Sequence, residues 1–242
     1  MRSWKLCGLL SIAAALLLIA ADDKQTATGP DQQALSALQS YIGEWKGVGQ
    51  LRRGKRSDGD WGEQAEWAWQ FKDGRAAIVF HADESKFYKS GRIVPGDKPG
   101  QFVLIGTLPD GETEERFSGQ VGTDEKIVFQ ADEPRDDRPA QISLRQVAEG
   151  ARMLITYEKR LGKDTYSRLA EVGYTRKGSG FGKGNSGPEC VVTGGYGTMT
   201  VEYKGKSYYV CCTGCRDLFN DDPEGVLAEY HARKAKEREE KQ

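Results

Sequence analysis

The 242-residue chain carries 35 basic and 36 acidic residues, 30 glycines and 10% aromatics. That length allows one large domain or two small ones. The charge is balanced and no segment concentrates it, which excludes a nucleic-acid-binding face. Abundant glycine between many short β-rich runs predicts a β protein with tight turns.

Residues 1–21 read as a signal peptide. Arg2 and Lys5 give a positive start, an apolar run extends from Leu9 to Ala21, and Ile19-Ala20-Ala21 offers small residues to a signal peptidase. The run is short for a membrane span, which needs about 20 residues. Cleavage therefore leaves no stable membrane span; a retained N-terminal anchor is the alternative. Cys7 precedes the apolar run, which does not suit lipid attachment. The expected location is exported, periplasmic or secreted, where disulfides persist.

A polar tether follows. A short helix is predicted from Pro30 through Tyr41, with Leu35, Leu38 and Ile42 on one face. From there to Arg176 the chain reads as ten β runs: Trp45–Arg52, Glu63–Lys72, Ala76–Ala82, Phe87–Val94, Gln101–Leu108, Glu112–Gln120, Lys126–Ala131, Ala140–Val147, Arg152–Arg160 and Tyr166–Thr175. Trp67, Trp69 and Phe71 alternate with Glu66, Ala68 and Gln70. Lys72-Asp73-Gly74, Pro109-Asp110-Gly111 and similar stretches mark the turns. An up-and-down meander of this length is expected to close into a barrel over residues 31–177, because closure removes exposed edges.

A short helix followed by Gly43-x-Trp45 at the start of such a meander resembles the calycin superfamily of lipocalin-like barrels, over Leu35 to Lys177. The resemblance implies that Trp45 packs across the barrel base and that the interior can hold a small apolar ligand. The alternative is a barrel filled by its own side chains, since a stripe of Trp45, Trp67, Trp69 and Phe71 more often forms core than pocket. His81 and His231 stand alone in sequence and read as ordinary residues rather than ligands.

The glycine-rich stretch 178–188 reads as a linker. Beyond it, residues 189–242 hold four of the five cysteines: Cys190, Cys211, Cys212 and Cys215. Two short strands, Thr200–Tyr203 and Lys206–Val210, are joined by Lys204-Gly205. A helix is expected to start at Cys215, its dipole favouring the thiolate there. Asp222-Pro223 is expected to cap a further helix carrying Val226, Leu227 and Tyr230, before a solvated tail from Lys234. Thiols gathered this tightly hold a soft metal or cross-link to one another. Thiolate donors select Zn, Cu(I) or another soft heavy-metal ion. Cys211 and Cys212 are adjacent in an extended segment, point to opposite sides and so do not serve one ion equally. The even thiol count keeps two disulfides open as the other use.

Cys190-x20-Cys211-x3-Cys215, with Tyr203-Lys204-Gly205-Lys206 and Tyr208-Tyr209-Val210 between and Phe219 and Asp222-Pro223-Glu224 after, resembles the TRASH/YHS family of small treble-clef-like metal-binding modules. The resemblance spans Pro188 to Tyr230. It implies Cys190, Cys211 and Cys215 as ligands, with Cys212 as a fourth ligand or a redox partner. No histidine stands where some relatives carry one. A unit of roughly 45 residues cannot bury a sufficient core alone and needs a metal or disulfide staple. The reading is therefore a mainly β protein, an antiparallel calycin-like barrel followed by a small α+β module. Its expected role is exported heavy-metal handling or sensing. The alternative is a carrier of a small apolar ligand with a structural zinc or a disulfide-stapled appendage. No paired nucleophile and base, phosphate loop or nucleotide fingerprint is present, so an enzyme is not expected.

Overall fold

A computed structural model of the chain describes residues 29–51, 60–122, 124–177 and 188–239. The expected signal peptide at 1–21 lies outside the described residues, as does the linker save Pro188. Among the described residues, no helix is long and apolar enough to cross a membrane.

Ten strands form the first part: β1 (Gly43–Leu51), β2 (Trp61–Lys72), β3 (Arg75–Asp83), β4 (Ser90–Pro95), β5 (Gln101–Thr107), β6 (Glu114–Val121), β7 (Ile127–Ala131), β8 (Gln141–Val147), β9 (Arg152–Arg160) and β10 (Tyr166–Arg176). Each pairs antiparallel with its neighbour in sequence, and β10 returns to β1 to close the barrel. The closing register runs from Trp45 opposite Arg176 to Leu51 opposite Ala170. Turn chemistry sets the registers. Asp73 and Gly74 both take positive φ, 50° and 70°, the two-residue hairpin that leaves Lys72 opposite Arg75.

Alternation puts one face of each strand inside. In β5, for example, Phe102 and Leu104 are buried while Val103 and Ile105 are half-buried outside. The inward aromatics fill the space, with Trp67 stacked on Phe80 at 5.0 Å and Phe87 on Tyr157 at 4.2 Å. The cavity left among Trp67, Phe80, Tyr88, Phe129, Tyr157 and Tyr174 admits a water-sized sphere over about 20 Å³. That is room for about one water, and it favours the barrel filled by its own side chains. The fourth run was expected from Phe87, but β4 begins at Ser90. Phe87 leaves the ladder to stack on Tyr157, and Tyr88 leaves it to donate to Glu115 Oε2 at 2.5 Å.

The barrel base is closed by the segment before β1. The expected helix splits into α1 (Pro30–Ala34) and a 3₁₀ turn over Ser36–Tyr41. Leu35, Leu38 and Tyr41 recur every third residue and all are buried. A 3₁₀ turn stacks that spacing on one line, whereas an α-helix would fan it out. Trp45 is fully buried, and its indole donates to Tyr41 O at 2.9 Å. The Arg176 guanidinium lies 4.1 Å over its ring and donates to the carbonyls of Ile42 (2.6 Å), Ser40 (2.5 Å) and Gly150 (3.2 Å). Gly43 has φ +130°, and a Cβ there would sit 2.6 Å from Arg176 Nη1. The glycine of Gly43-x-Trp45 is thus required both by backbone conformation and by the arginine packed against it.

The C-terminal part comprises β11 (Met199–Tyr203), β12 (Lys206–Val210), α2 (Thr213–Asp221) and α3 (Pro223–Glu239). Asp222 caps α3 as expected, its Oδ1 accepting from Gly225 N at 3.0 Å. Two expectations are corrected. First, α2 begins at Thr213 with Cys212 as N-cap, so Cys215 occupies the third helical position. Second, the stretch from Lys234 is largely exposed, as expected of a solvated tail, but it is helical and tied back to the cysteine loop. Helix α3 continues to Glu239, and both Arg233 and Lys234 pair with Glu189, at 3.2 and 2.9 Å.

Helix α2 packs on β2, and one continuous hydrophobic core runs from the barrel into this part.

Candidate metal centre

Three separate elements deliver the sulfurs. Cys190 sits in a tight loop, its amide donating to Gly195 O at 2.7 Å while its carbonyl accepts from Gly194 N at 2.9 Å. Gly194 supplies the positive φ of 76° that this turn needs. Cys211 follows β12 directly, and Cys215 lies in the first turn of α2. All three are buried, and their sulfurs lie within 4.8 Å of one another.

The spacing suits an ion. Cys211 Sγ is 3.5 Å from Cys215 Sγ and 3.9 Å from Cys212 Sγ. A tetrahedral zinc with Zn–S bonds of about 2.3 Å separates its sulfurs by about 3.8 Å. A disulfide would need about 2.05 Å, and all four cysteines are free thiols. Cys212 is buried too but stands outside the mutual set of three. Its sulfur meets the barrel, accepting from the Trp69 backbone N–H at 3.4 Å. The two adjacent side chains were expected to point to opposite sides, yet their sulfurs approach to 3.9 Å, so Cys212 borders the set while also meeting the barrel.

The sulfurs share protons unequally. Burial opposes ionisation at Cys190, yet hydrogen bonds from Cys211, Cys215 and Thr193 outweigh it and bring its pKa well below the ordinary thiol value. Hydrogen bonds from Cys211 and Cys215, with a further one from the Trp69 amide, lower Cys212 to about 4. Cys211 is raised by its bonds to Cys190 and Cys212, and Cys215 by burial and then by its three thiol neighbours. The helix dipole was expected to favour the thiolate at Cys215, but burial dominates there. The N-cap residue, Cys212, is the one whose pKa is lowered in that turn.

His81 is exposed beside Asp83 at 2.9 Å, and His231 lies against Tyr230 at 5.4 Å, so neither joins the sulfurs. Around the cluster stand residues that nothing local in the sequence marks. Thr193 Oγ1 lies 3.5 Å from Cys211 Sγ, Gln39 reaches Thr193, and Thr213 Oγ1 donates to Glu66 Oε1 at 3.0 Å. One signal was available: Ala68 is the single apolar residue on the outward face of β2 between Glu66 and Gln70. It is buried because α2 covers that strand.

No protein-family model matches the sequence, and no curated protein matches it. The crystal structure of Rv2717c from M. tuberculosis is similar, with a TM-score of 0.37 and 16% identity over 60% of this chain and 97% of that one.

Proposed function

We propose that this is an exported heavy-metal-binding protein. Cys190, Cys211 and Cys215 hold one soft ion, Zn, Cu(I) or another heavy metal, as in the TRASH/YHS modules the segment resembles. The observation that carries this reading is the mutual approach of three buried sulfurs, within 4.8 Å, from a loop, a strand end and a helix start. Cys212, 3.9 Å from Cys211, is the nearest candidate for a fourth donor. Thiolates exclude magnesium and calcium and favour soft ions. Uptake requires the ligating thiols to lose their protons. The barrel serves as scaffold, since its interior space of about 20 Å³ is far below the roughly 300 Å³ of a small-ligand pocket. Export rests on the signal-like residues 1–21, and the role is handling or sensing of the metal.

Protein purified without oxygen should carry about one soft ion per chain, and Cys190→Ala or Cys215→Ala should remove it. Elemental analysis with a free-thiol count makes the test. Four reactive thiols with no metal uptake would overturn the reading.

A further inference from the structure

Two neighbouring sulfurs are tied to one tryptophan of the barrel. The Trp69 backbone N–H donates to Cys212 Sγ at 3.4 Å. Its indole Nε1–H donates to Gln39 Oε1 at 3.0 Å, and Gln39 Nε2 donates to Thr193 Oγ1 at 3.2 Å. Thr193 Oγ1 in turn lies 3.5 Å from Cys211 Sγ. The 3.9 Å approach of Cys211 and Cys212 closes the ring.

Chemistry fixes the direction of the bonds that start at Trp69. An indole N–H can only donate, so the Gln39 carbonyl must face Trp69 and its NH₂ must face Thr193. The Thr193 oxygen accepts from Gln39, and toward Cys211 its hydroxyl either gives or takes the proton. Once Cys211 is a metal-bound thiolate it has no proton to give, so there the hydroxyl donates to sulfur. Both arms from Trp69 then end with a hydrogen aimed at sulfur. A thiol sulfur is a weak acceptor. A thiolate on a metal carries charge and gains far more from such donors. The backbone makes room for the relay, because a Cβ at Gly195 would collide with the Gln39 side chain.

We infer that Thr193, Gln39 and Trp69 are positioning residues of the metal centre, orienting the sulfurs of Cys211 and Cys212 and strengthening them as thiolate donors. The inference rests on the metal-binding reading above. It makes the barrel part of the site: the relay exists only while the cysteine-bearing segment is seated on β2.

The test uses the full chain, kept reduced and titrated with Cd(II) alone, following the sulfur-to-cadmium absorption and competition with a chelator. Thr193→Val keeps the shape and deletes the hydroxyl, whereas Thr193→Ser keeps the hydroxyl. Thr193→Val and Gln39→Leu should each weaken Cd(II) binding about tenfold, in line with the loss of a bond to a metal ligand. Thr193→Ser should match the unaltered chain. A role in packing alone would lower the melting temperature of the metal-free variants and leave Cd(II) affinity unchanged. Equal affinity in Thr193→Val and Thr193→Ser overturns the assignment while the metal reading stands. If Thr193→Val does not fold, unchanged affinity in Gln39→Leu overturns it equally. No Cd(II) uptake by the unaltered chain overturns both.

Discussion

Gly214→Ala should destabilise the protein, although helix propensity alone says the opposite. Gly214 is the second residue of α2, and replacing glycine by alanine in a helix normally gains up to about 1 kcal/mol. Here a Cβ would lie 2.8 Å from the Trp69 carbonyl carbon and closer still to its oxygen. Carbon atoms in contact prefer about 3.5–4.0 Å, so α2 must retreat from β2 by roughly 1 Å. The retreat stretches the Trp69–Cys212 bond, now 3.4 Å, and the Thr213–Glu66 bond, now 3.0 Å, past useful length. Overpacking against backbone costs about 1–3 kcal/mol and each lost hydrogen bond about 1 kcal/mol. After the propensity gain, the net loss is about 2 kcal/mol or somewhat more. That corresponds to a fall in Tm of about 4–8 °C for a chain of this size. Calorimetry on the metal-free, reduced protein reads it directly. A Gly214→Ala variant as stable as the unaltered chain, or more stable, would refute the close seating of α2 on Trp69.

Arg176→Met should cost about 3 kcal/mol in denaturant unfolding, because the buried carbonyls of Ile42 and Gly150 and the part-buried one of Ser40 lose a charged donor. Burial lowers the Arg176 pKa only to about 10, so the charge persists at neutral pH; a loss below about 1 kcal/mol would refute the part given to it at the base. Asp110 supplies the pH-dependent case. Its Oδ1 accepts from the amides of Thr113 and Glu112, both at 2.9 Å, which holds its pKa at about 2 instead of 3.8. With the folded value the lower of the two, its contribution is whole above about pH 4 and is lost as the pH falls through about 2. Carboxyl NMR titration should place the midpoint there, and a midpoint near 4 would refute the capped turn.

The barrel was legible because its information is local. Alternation placed Trp67 and Trp69 on one face, and residues tolerant of positive φ marked the turns at Asp73-Gly74 and Lys204-Gly205. The errors came where long-range contact overrode the local pattern. Phe87 and Tyr88 alternate like strand residues, but they leave the ladder for Tyr157 and Glu115. Leu35, Leu38 and Ile42 read as one face of an α-helix, but the barrel base takes up Leu35, Leu38 and Tyr41, the every-third spacing of a 3₁₀ turn. The gathering of Cys190, Cys211 and Cys215 was readable from spacing and resemblance. Gln39 and Trp69 were not, since they meet Thr193 and Cys212 across 154 and 143 residues of sequence.

The same long-range logic explains the charged stretch at the end of α3. Glu189 precedes Cys190 and anchors the loop that carries it. Arg233 bonds Glu189 and the carbonyl of Val191, both at 3.2 Å, while Lys234 bonds Glu189 at 2.9 Å and also reaches Glu237. These pairs are only part-buried, and pairs on the surface stabilise a fold weakly. Their effect here is positional. Cys215 is fixed by helix α2 and Cys211 by the end of β12, whereas Cys190 stands on a loop held by its own turn, by Val191 N donating to Tyr209 O at 2.9 Å, by Gln39 at Thr193 and by these two cations. A chain lacking the last turns of α3 would keep all four thiols but lose the clamp on one of them. The residues that read as a solvated tail thereby bear on whether the three sulfurs meet.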